Sequence, residues 1–473
     1  MPDKKSFYIT TTLPYVNAEP HIGFAMELVH ADVVARAKQL QGEEVFFNTG
    51  TDEHGVKIYT KAKQAGKDPQ KYADEYAAKF RNLIDLLGID KTSIHFIRTT
   101  DEHHKIAAQE IWKLCEKAGD IYKKNYTIRY CNSCELEKTD SELVNGLCAI
   151  HPEKELEVRE EENYFFKFSK YQELLLKFYR ENTDFVLPDF RFNEIIKFVE
   201  RGLEDFSISR LKSKMPWGIA VPGDEKHVMY VWFDALTNYI STIGWPDNID
   251  EFKKWWPVVQ FAGKDQTRQQ AAMWQAMLMS SGLTSSKQII IHGFLNFQGQ
   301  KMSKSVGNVI SPNEVIEKFG LDALRYFVTR EFNQFEDTDV SWEKFNEAYN
   351  ANLANGLGNL VSRIMTLAET NLSQPAEIAE WEDMSEHFSL LNSYKIKDSA
   401  DHVWAKIGEL DKEIQKKKPW ESKDKEVIAN LVAKLYSIAR MLNPFMPITS
   451  AKIKSLIKSN KKPLESLFPR IES

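Results

Sequence analysis

The first part of the chain alternates short apolar runs with longer segments of helical periodicity. Nearly continuous apolar runs of this length predict buried strands, and the segment from Met26 to Leu40 carries its apolar residues at helical spacing. The predicted strands are Phe7–Thr12, Val45–Asn48, Val228–Phe233, Val258–Ala262 and Gln288–His292. Strands that alternate with helices in this way favour an α/β protein with a parallel sheet.

This pattern breaks off twice and so divides the chain. Between residues 123 and 226, short polar and aromatic segments and a cysteine cluster predict an insertion. The flanking parts, 1–122 and 227–340, are predicted to form one nucleotide-binding domain of Rossmann type. Residues 341–473 are predicted to form a C-terminal α-helical bundle, with the Pro-, Glu- and Ser-rich stretch Ser373–Ser385 as a connection inside it. Its three apolar stripes, at 4,3,4 spacing, are Leu353, Leu357, Leu360, Ile364; Val403, Ile407, Leu410, Ile414; and Leu431, Leu435, Ile438, Leu442.

The composition agrees with a multidomain protein and indicates the cellular compartment in which it is expected. The chain has 473 residues, 42% of them hydrophobic, which is enough for more than one core. The longest apolar run is too short to span a membrane, and four cysteines are too few for a disulfide framework, so we expect a soluble, cytoplasmic protein. The net charge of -6 gives no global sign of nucleic-acid binding, and any RNA contact would depend on local basic clusters such as Lys416–Lys418.

Two short segments have the composition of phosphate-binding sites. Pro20-His21-Ile22-Gly23-Phe24 lies where a predicted strand gives way to a helix, so a phosphate there would meet the helix N-terminus. Lys301-Met302-Ser303-Lys304-Ser305 lies between two glycines and would supply two ammonium groups to a pyrophosphate. Each segment alone is also common in ordinary solvated turns.

The predicted insertion contains a metal-binding pattern. Cys131-x-x-Cys134 and Cys148-x-x-His151 are two chelating turns, and this spacing suits one tetrahedral zinc ion. Four protein ligands leave no open position, so the metal would be structural. The alternative is three free cysteines beside an ordinary histidine, and Cys115 is expected to be a buried free thiol in either case.

The two phosphate-binding segments resemble the HIGH and KMSKS motifs of class I aminoacyl-tRNA synthetases. Other segments are similar to the methionyl-tRNA synthetase family and occur in the same order: Leu13–Asn17, Thr49–Gly55, Ser207–Arg210, Tyr230–Ala235 and Gly263–Asp265. Two positions depart from that family. Phe24 replaces the second motif histidine, and Gln270 stands where the family usually has a pocket histidine.

The resemblance implies a reaction and a set of residues for it. Methionine would be activated with ATP, which brings Mg²⁺ with it, and the methionyl group would then pass to tRNA. The implied residues are His21, Lys301 and Lys304 for catalysis; Gly23, Glu27, Asp265 and Ser303 for the nucleotide; Leu13, Tyr15, Asp52, Trp232, Ala235, Tyr239 and Gln270 for methionine; Arg210 to hold Asp52; and Asn359, Arg363 and Trp420 for the anticodon.

Several alternatives remain open at this point. The chain could instead be a class I synthetase for leucine, isoleucine, valine or cysteine, or a non-catalytic RNA-binding protein. Asp52 could be a helix cap or turn residue, and Trp232, Tyr239 and Trp420 could be core or cap aromatics. Because the chain ends soon after the predicted bundle, we expect a monomer.

Overall fold

The computed structural model describes residues 5–133, 136–138, 143–297, 299–302, 309–378 and 384–471. Its strands are β1 (Ser6–Thr10), β2 (Glu44–Thr51), β3 (Ile94–Arg98), β4 (Ile121–Cys131), β5 (Leu136–Glu137), β6 (Leu143–Val144), β7 (Leu147–Cys148), β8 (Glu157–Phe166), β9 (Val186–Leu187), β10 (Phe206–Ser207), β11 (Ser209–Leu211), β12 (Ala220–Val221), β13 (Asp224–Met229), β14 (Val259–Gly263), β15 (Gln288–His292), β16 (Leu295–Phe297), β17 (Gln300–Lys301) and β18 (Thr338–Val340). Its α-helices are α1 (Ile22–Leu40), α2 (Val56–Gln64), α3 (Pro69–Leu86), α4 (Glu102–Lys117), α5 (Gln172–Glu181), α6 (Asp189–Glu200), α7 (Val231–Ala235), α8 (Asn238–Ser241), α9 (Ile249–Trp255), α10 (Trp274–Ser280), α11 (Pro312–Phe319), α12 (Leu321–Tyr326), α13 (Trp342–Ala348), α14 (Asn359–Asn371), α15 (Ser385–Asn392), α16 (Ile396–Lys417), α17 (Pro419–Ser422), α18 (Lys425–Leu442) and α19 (Pro447–Ser459). Within these ranges, no helix is long and apolar enough to cross a membrane.

A parallel sheet forms the centre of the α/β part. Within the described ranges it has six strands in the order β3-β2-β1-β14-β15-β9. The chain runs outward from β1 to β3 and returns to the other side of β1 at β14, so the strand order reverses between β1 and β14. Ligands of open α/β sheets bind at such a switch point, beyond the carboxyl ends of the strands. The predicted strands that became β1, β2, β14 and β15 are confirmed, and α1 begins earlier than predicted, at Ile22.

The predicted strand Val228–Phe233 is wrong in both its extent and its sheet. β13 ends at Met229, and residues 231–235 form α7. β13 pairs antiparallel with β11 and β12 in a separate small sheet. The apolar run is buried except at Trp232, which is partly buried, and a short apolar run of this kind has no periodicity that separates a strand from a helix.

The predicted insertion contains a long antiparallel ladder. β4 and β8 pair over ten residues and carry the cysteine-containing turns at their far end. One part of this segment behaves differently, because β9 pairs parallel with β15 and forms an edge of the main sheet. The residues between 123 and 226 therefore contribute a strand to the domain that they interrupt.

The C-terminal bundle is confirmed, and the residues of all three predicted stripes are buried. The first stripe begins in a π-helical segment ahead of α14, and the other two lie on α16 and α18. The predicted connection Ser373–Ser385 lies between α14 and α15; its residues 379–383 fall outside the described ranges.

One fully buried arginine joins the bundle to the parallel sheet. The guanidinium of Arg325 donates to the carboxylate of Asp32 on α1 at 2.6 Å. It also donates to the carbonyl oxygens of Pro444 and Phe445, in the turn between α18 and α19. Arg325, on α12, thus links the bundle by hydrogen bonds to the same helix that begins at the first candidate phosphate-binding segment.

Candidate active site

The first phosphate-binding segment lies at the N-terminus of α1, beside the switch point of the sheet. His21 is the N-cap residue, and its Nδ1 accepts a hydrogen bond from the backbone N–H of Gly23 at 3.1 Å. The neutral imidazole then carries its proton on Nε2, which is able to donate to a phosphate oxygen. A Cβ on Gly23 would lie 2.8 Å from the His21 ring, so a side chain there would displace the imidazole. The first turn of α1 has no acidic residue, which keeps this helix terminus favourable to anions.

Glu27, one turn further along α1, is buried beneath this terminus and is already hydrogen-bonded. Its Oε1 accepts from the N–H and the hydroxyl of Thr12 at 2.6 and 2.7 Å. Its Oε2 lies 2.6 Å from Nε2 of His292, the last residue of β15. Glu27 therefore connects the end of β1, helix α1 and the end of β15.

His292 is positioned to be charged. Both ring nitrogens face acceptors, since Nε2 points to Glu27 and Nδ1 lies 2.8 Å from the carbonyl oxygen of Gly293. Burial alone would lower the pKa of His292, but the hydrogen bond and the charge of Glu27 outweigh it and raise that pKa above the usual value. The contact with Glu27 therefore favours the charged form of the buried His292 imidazole, beneath the candidate nucleotide site.

Asp265 lies at the same edge of the sheet, in the turn that follows β14. A Cβ on Gly263 would come within 2.9 Å of its carboxylate, so the glycine permits this close approach. Asp265 also favours the charged form of His292 electrostatically. Both acidic residues implied for the nucleotide are therefore grouped around the switch point.

Four of the residues implied for methionine lie beyond β1 and β2 or next to residues that do. Asp52 and Tyr15 form a parallel bridge, in which the N–H of Asp52 donates to Pro14 at 3.0 Å. Trp232 meets the Tyr15 ring edge to face, with centroids 6.4 Å apart. Leu13, in the same segment as Tyr15, is buried.

Tyr239 and Gln270 form a second group. The side-chain amide of Gln270 donates to Oη of Tyr239 at 2.8 Å, and its oxygen accepts from Gln260 at 2.8 Å. Hydrogen bonds to the neutral amide of Gln260 and to the hydroxyl of Tyr239 thus fix the orientation of the Gln270 side-chain amide. Ala235 is buried at the end of α7, and its carbonyl accepts from Asn238, the residue before Tyr239.

Arg210 is held on β11 beside β13. Its guanidinium donates to the hydroxyl of Ser207 and to the carbonyl of Ser209, and it lies 4.3 Å from the centroid of the Tyr230 ring. These contacts fix the arginine in a polar and aromatic surrounding close to α7. The role of Arg210 in holding Asp52, which the family resemblance implies, remains a prediction.

A buried network behind this pocket was missed by the sequence interpretation. The carboxylate of Asp234 lies 2.7 Å from Nδ1 of His54 and 2.8 Å from Nε2 of His104. Burial works against the ionised form of Asp234, but the two imidazoles overcome it and lower the pKa of Asp234. The network ties the turn after β2 to α4 and α7. His54 and Asp234 both lie in segments noted for the family resemblance, which was the available signal, but nothing in one sequence pairs them.

The second phosphate-binding segment is described only in part. β17 ends at Lys301, and Met302 packs against the main core. The Lys301 side chain, Ser303 and Lys304 lie outside the described residues. Their roles remain predictions.

The metal-binding pattern brings its described ligands together. The ligand atoms of Cys131, Cys148 and His151 all lie within 4.8 Å of one another. The two sulfur atoms are 3.7 and 3.9 Å from Nδ1 of His151. Usual bond lengths in a tetrahedral zinc site would separate a thiolate and an imidazole nitrogen by about 3.5 Å, so this donor set fits zinc. Cys134 lies outside the described residues.

Cys115 is buried on α4, as expected for a free thiol. Burial raises its pKa to about 12. Such a thiol is not a reactive nucleophile at neutral pH.

The residues implied for the anticodon lie on the surface of the bundle. Asn359 and Arg363 are four residues apart on α14, and Asn359 is exposed. Arg363 donates to Asp411 on α16 at 2.6 Å. Trp420 follows Pro419, the first residue of the short helix α17, and is 43% exposed, so it is not a core residue.

The chain is similar over most of its length to one group of known enzymes. The family model described as tRNA synthetases class I (M) matches residues 7–152 and 132–365. The methionine–tRNA ligase of Thermotoga maritima is 41% identical over 97% of this chain and 76% of its own length. That of Brucella suis is 39% identical over 96% of this chain and 92% of its own.

Solved structures show the same relation. The methionyl-tRNA synthetase of Mycobacterium tuberculosis in complex with methionyl-adenylate superposes with a TM-score of 0.91, at 34% identity over 98% of this chain and 100% of that one. Its apo form gives a TM-score of 0.84 at 31% identity. With the identity, the coverage and the fold in agreement, the chain belongs to the methionine–tRNA ligase family of class I aminoacyl-tRNA synthetases.

Proposed function

We infer that this protein activates L-methionine with ATP to methionyl-adenylate and transfers the methionyl group to the 3′ end of tRNA. The observation that carries this function is the N-terminus of α1, where His21 and Gly23 form an anion site at the switch point of the sheet. The test is ATP–pyrophosphate exchange with methionine, using leucine, isoleucine, valine and cysteine as controls. Exchange driven best by another amino acid would reassign the substrate, and no exchange with any would favour a non-catalytic RNA-binding protein.

The chemistry requires no protein nucleophile. The methionine carboxylate attacks the α-phosphorus of ATP, which arrives with Mg²⁺, and pyrophosphate leaves. We propose that His21 donates from Nε2 to the phosphates and that Lys301 and Lys304 neutralise the pyrophosphate charge, with Ser303 nearby. Gly23 permits close approach of the nucleotide, and Asp265 and Glu27 define the edge against which it lies.

We propose that methionine binds beyond β1 and β2. Asp52 would hold its ammonium group, with Arg210 fixing that carboxylate. The aromatic rings of Tyr15, Trp232 and Tyr239 suit a polarizable thioether, with Leu13, Ala235 and Gln270 completing the pocket. The fixed direction of the Gln270 amide supports its position as a partner of Tyr239.

We propose that zinc binds Cys131, Cys134, Cys148 and His151 and stabilises the turns at the end of the β4–β8 ladder. Elemental analysis should give one zinc per chain. Cys148→Ser should lower both the zinc content and the thermal stability of this segment, whereas Cys115→Ser, which changes a cysteine outside the group, should keep the zinc. An unchanged zinc content in Cys148→Ser would remove this assignment.

We propose that Asn359, Arg363 and Trp420 contact the anticodon of tRNA. Single-stranded bases are recognised by stacking on aromatic rings and by hydrogen bonds to their edges, and an exposed tryptophan beside lysines provides the first of these. The domain division proposed is 1–122 and 227–340 for catalysis, 123–226 for the insertion and 341–473 for the anticodon.

We also propose that the protein acts as a monomer in the cytoplasm. Aminoacylation takes place where translation does, which supports the cytoplasmic location. Light scattering coupled to size exclusion tests the first point, and a dimer mass would overturn it.

A further inference from the structure

Phe24, the residue in place of the second motif histidine, lies against the ring of the first. The ring centroids of Phe24 and His21 are 4.3 Å apart, with the planes tilted by 32°. Phe80 of α3 meets Phe24 edge to face, with centroids 5.5 Å apart and planes at 88°. The imidazole, the Phe24 ring and the Phe80 ring thus form a continuous row from the helix terminus to α3.

This row limits the movement of the imidazole. The N–H of Gly23 engages Nδ1 of His21, and the Phe24 ring covers the side chain next to it. A ring held by a hydrogen bond at one atom and by an aromatic contact has lost much of its freedom to rotate. Groups that stabilise developing charge act most strongly when they are held in place before the reaction.

The surroundings of Phe24 favour a phenyl ring. A cavity of about 20 Å³ next to it is lined in part by Leu28, Phe80 and Phe96. Phe24 also packs against the main hydrophobic core. On this apolar side of the cavity a phenyl ring packs without needing a hydrogen-bond partner.

We propose that Phe24 is a positioning residue for methionine activation: it holds the His21 imidazole so that Nε2–H remains the donor to the phosphates of ATP. Phe24 has no polar atom and does not replace the missing histidine as a donor. It increases the effect of the remaining histidine by fixing it, and Phe80 supports the Phe24 ring from behind. This inference rests on the proposed function.

The test is a double-mutant cycle in the methionine-dependent exchange reaction. Phe24→Leu keeps an apolar side chain and removes the ring, and we expect kcat to fall roughly three- to tenfold with an unchanged KM for methionine. In a His21→Ala background, Phe24→Leu should cause no further fall, because no imidazole is left to position. A merely structural role would give the same factor in both backgrounds and would overturn the proposal.

Two further variants keep the test informative if Phe24→Leu is unstable. Phe24→Tyr retains the ring and should keep kcat within about twofold of wild type. Phe96→Leu removes a ring from the same cavity wall and is the matched control, with kcat expected to stay at the wild-type value. Loss in Phe24→Tyr equal to that in Phe24→Leu would contradict the positioning role, whereas wild-type protein without methionine-dependent exchange would instead defeat the proposed function.

Discussion

The proposed nucleotide site and the proposed anticodon face of the bundle differ in whether their polar groups are buried or exposed. Under the nucleotide site, Glu27 and His292 are each only 6% exposed and are hydrogen-bonded to each other and to the strand ends before any ligand arrives. On the bundle, Asn359 and Trp420 face solvent, and the core beneath them consists of apolar stripes. The polar groups proposed for catalysis are thus buried and fixed during folding, whereas those proposed for RNA recognition are exposed on the surface of the bundle.

This difference has an energetic consequence. A buried polar group that loses its partner costs about 1–3 kcal/mol, so substitutions under the nucleotide site should affect stability and rate together. Substitutions of exposed side chains usually change stability by less than about 0.5 kcal/mol. Changes on the bundle face should therefore affect tRNA charging and leave both folding and adenylation intact.

His21→Ala should have the largest effect. Loss of a preorganised donor to charge that develops in the transition state should lower kcat of methionine-dependent exchange about 10²- to 10³-fold, with thermal stability close to wild type. His103→Ala, an exposed histidine on α4, is the control and should keep full activity. If His21→Ala exchanged at the wild-type rate, His21 would not be part of the catalytic site.

Glu27→Gln should show how much the buried contact between Glu27 and His292 contributes to the free energy of unfolding. Because the fold raises the pKa of His292 above 6.5, the stabilisation by Glu27 is fully present below pH 6.5 and is lost as the pH rises through the folded pKa. The variant should lose about 2 kcal/mol of unfolding free energy at pH 6, and less at higher pH.

The measurement is urea denaturation of both proteins across this pH range. Glu314→Gln, a solvent-exposed glutamate in the capping box of α11, provides a comparison without a histidine partner, and its effect should stay constant with pH. A stability difference for Glu27→Gln that grows with pH would show that His292 is not charged in the native state.

Trp420→Ala should separate the two halves of the reaction. Loss of one stacking surface should lower kcat/KM for tRNA charging about tenfold, because base stacking contributes about 1–3 kcal/mol per base, while pyrophosphate exchange stays unchanged. Phe190→Ala removes another exposed aromatic side chain, outside the bundle, and should affect neither reaction. Equal losses in exchange and charging would mean that Trp420 acts through folding.

Asp411→Asn should have the smallest effect. It breaks the partly exposed ion pair with Arg363, so the free energy of unfolding should change by less than about 1 kcal/mol. The guanidinium would then face RNA without a competing carboxylate, and KM for tRNA should fall slightly at low salt. Asp398→Asn on the same helix α16 is the control. A rise in KM for tRNA would show that Asp411 is needed to orient Arg363.

The candidate phosphate-binding and metal-binding segments could be located from the sequence because each is recognised by residues that lie close together along the chain. A strand, a glycine and a helix start at Phe7–Leu40 predict a helix terminus that suits an anion, and the two chelating turns predict a zinc site from their spacing alone. The bundle stripes were equally clear, because helical periodicity persists over several turns. Val228–Phe233 was misassigned because the run is short and buried, so both a strand and a helix satisfy its pattern.

Composition and order of residues determined the parallel α/β class, the helical bundle and the positions of the phosphate-binding and metal-binding segments. Only the tertiary structure decided that Glu27 meets His292, that Asp234 joins His54 to His104, that β9 returns to the main sheet and that Phe24 covers His21 with Phe80 behind it. The physical reason is the distance along the sequence between the residues that come into contact. Local patterns report the backbone's preferences over a few residues, whereas these contacts join side chains that are mostly tens to hundreds of positions apart and form only when several elements pack at once.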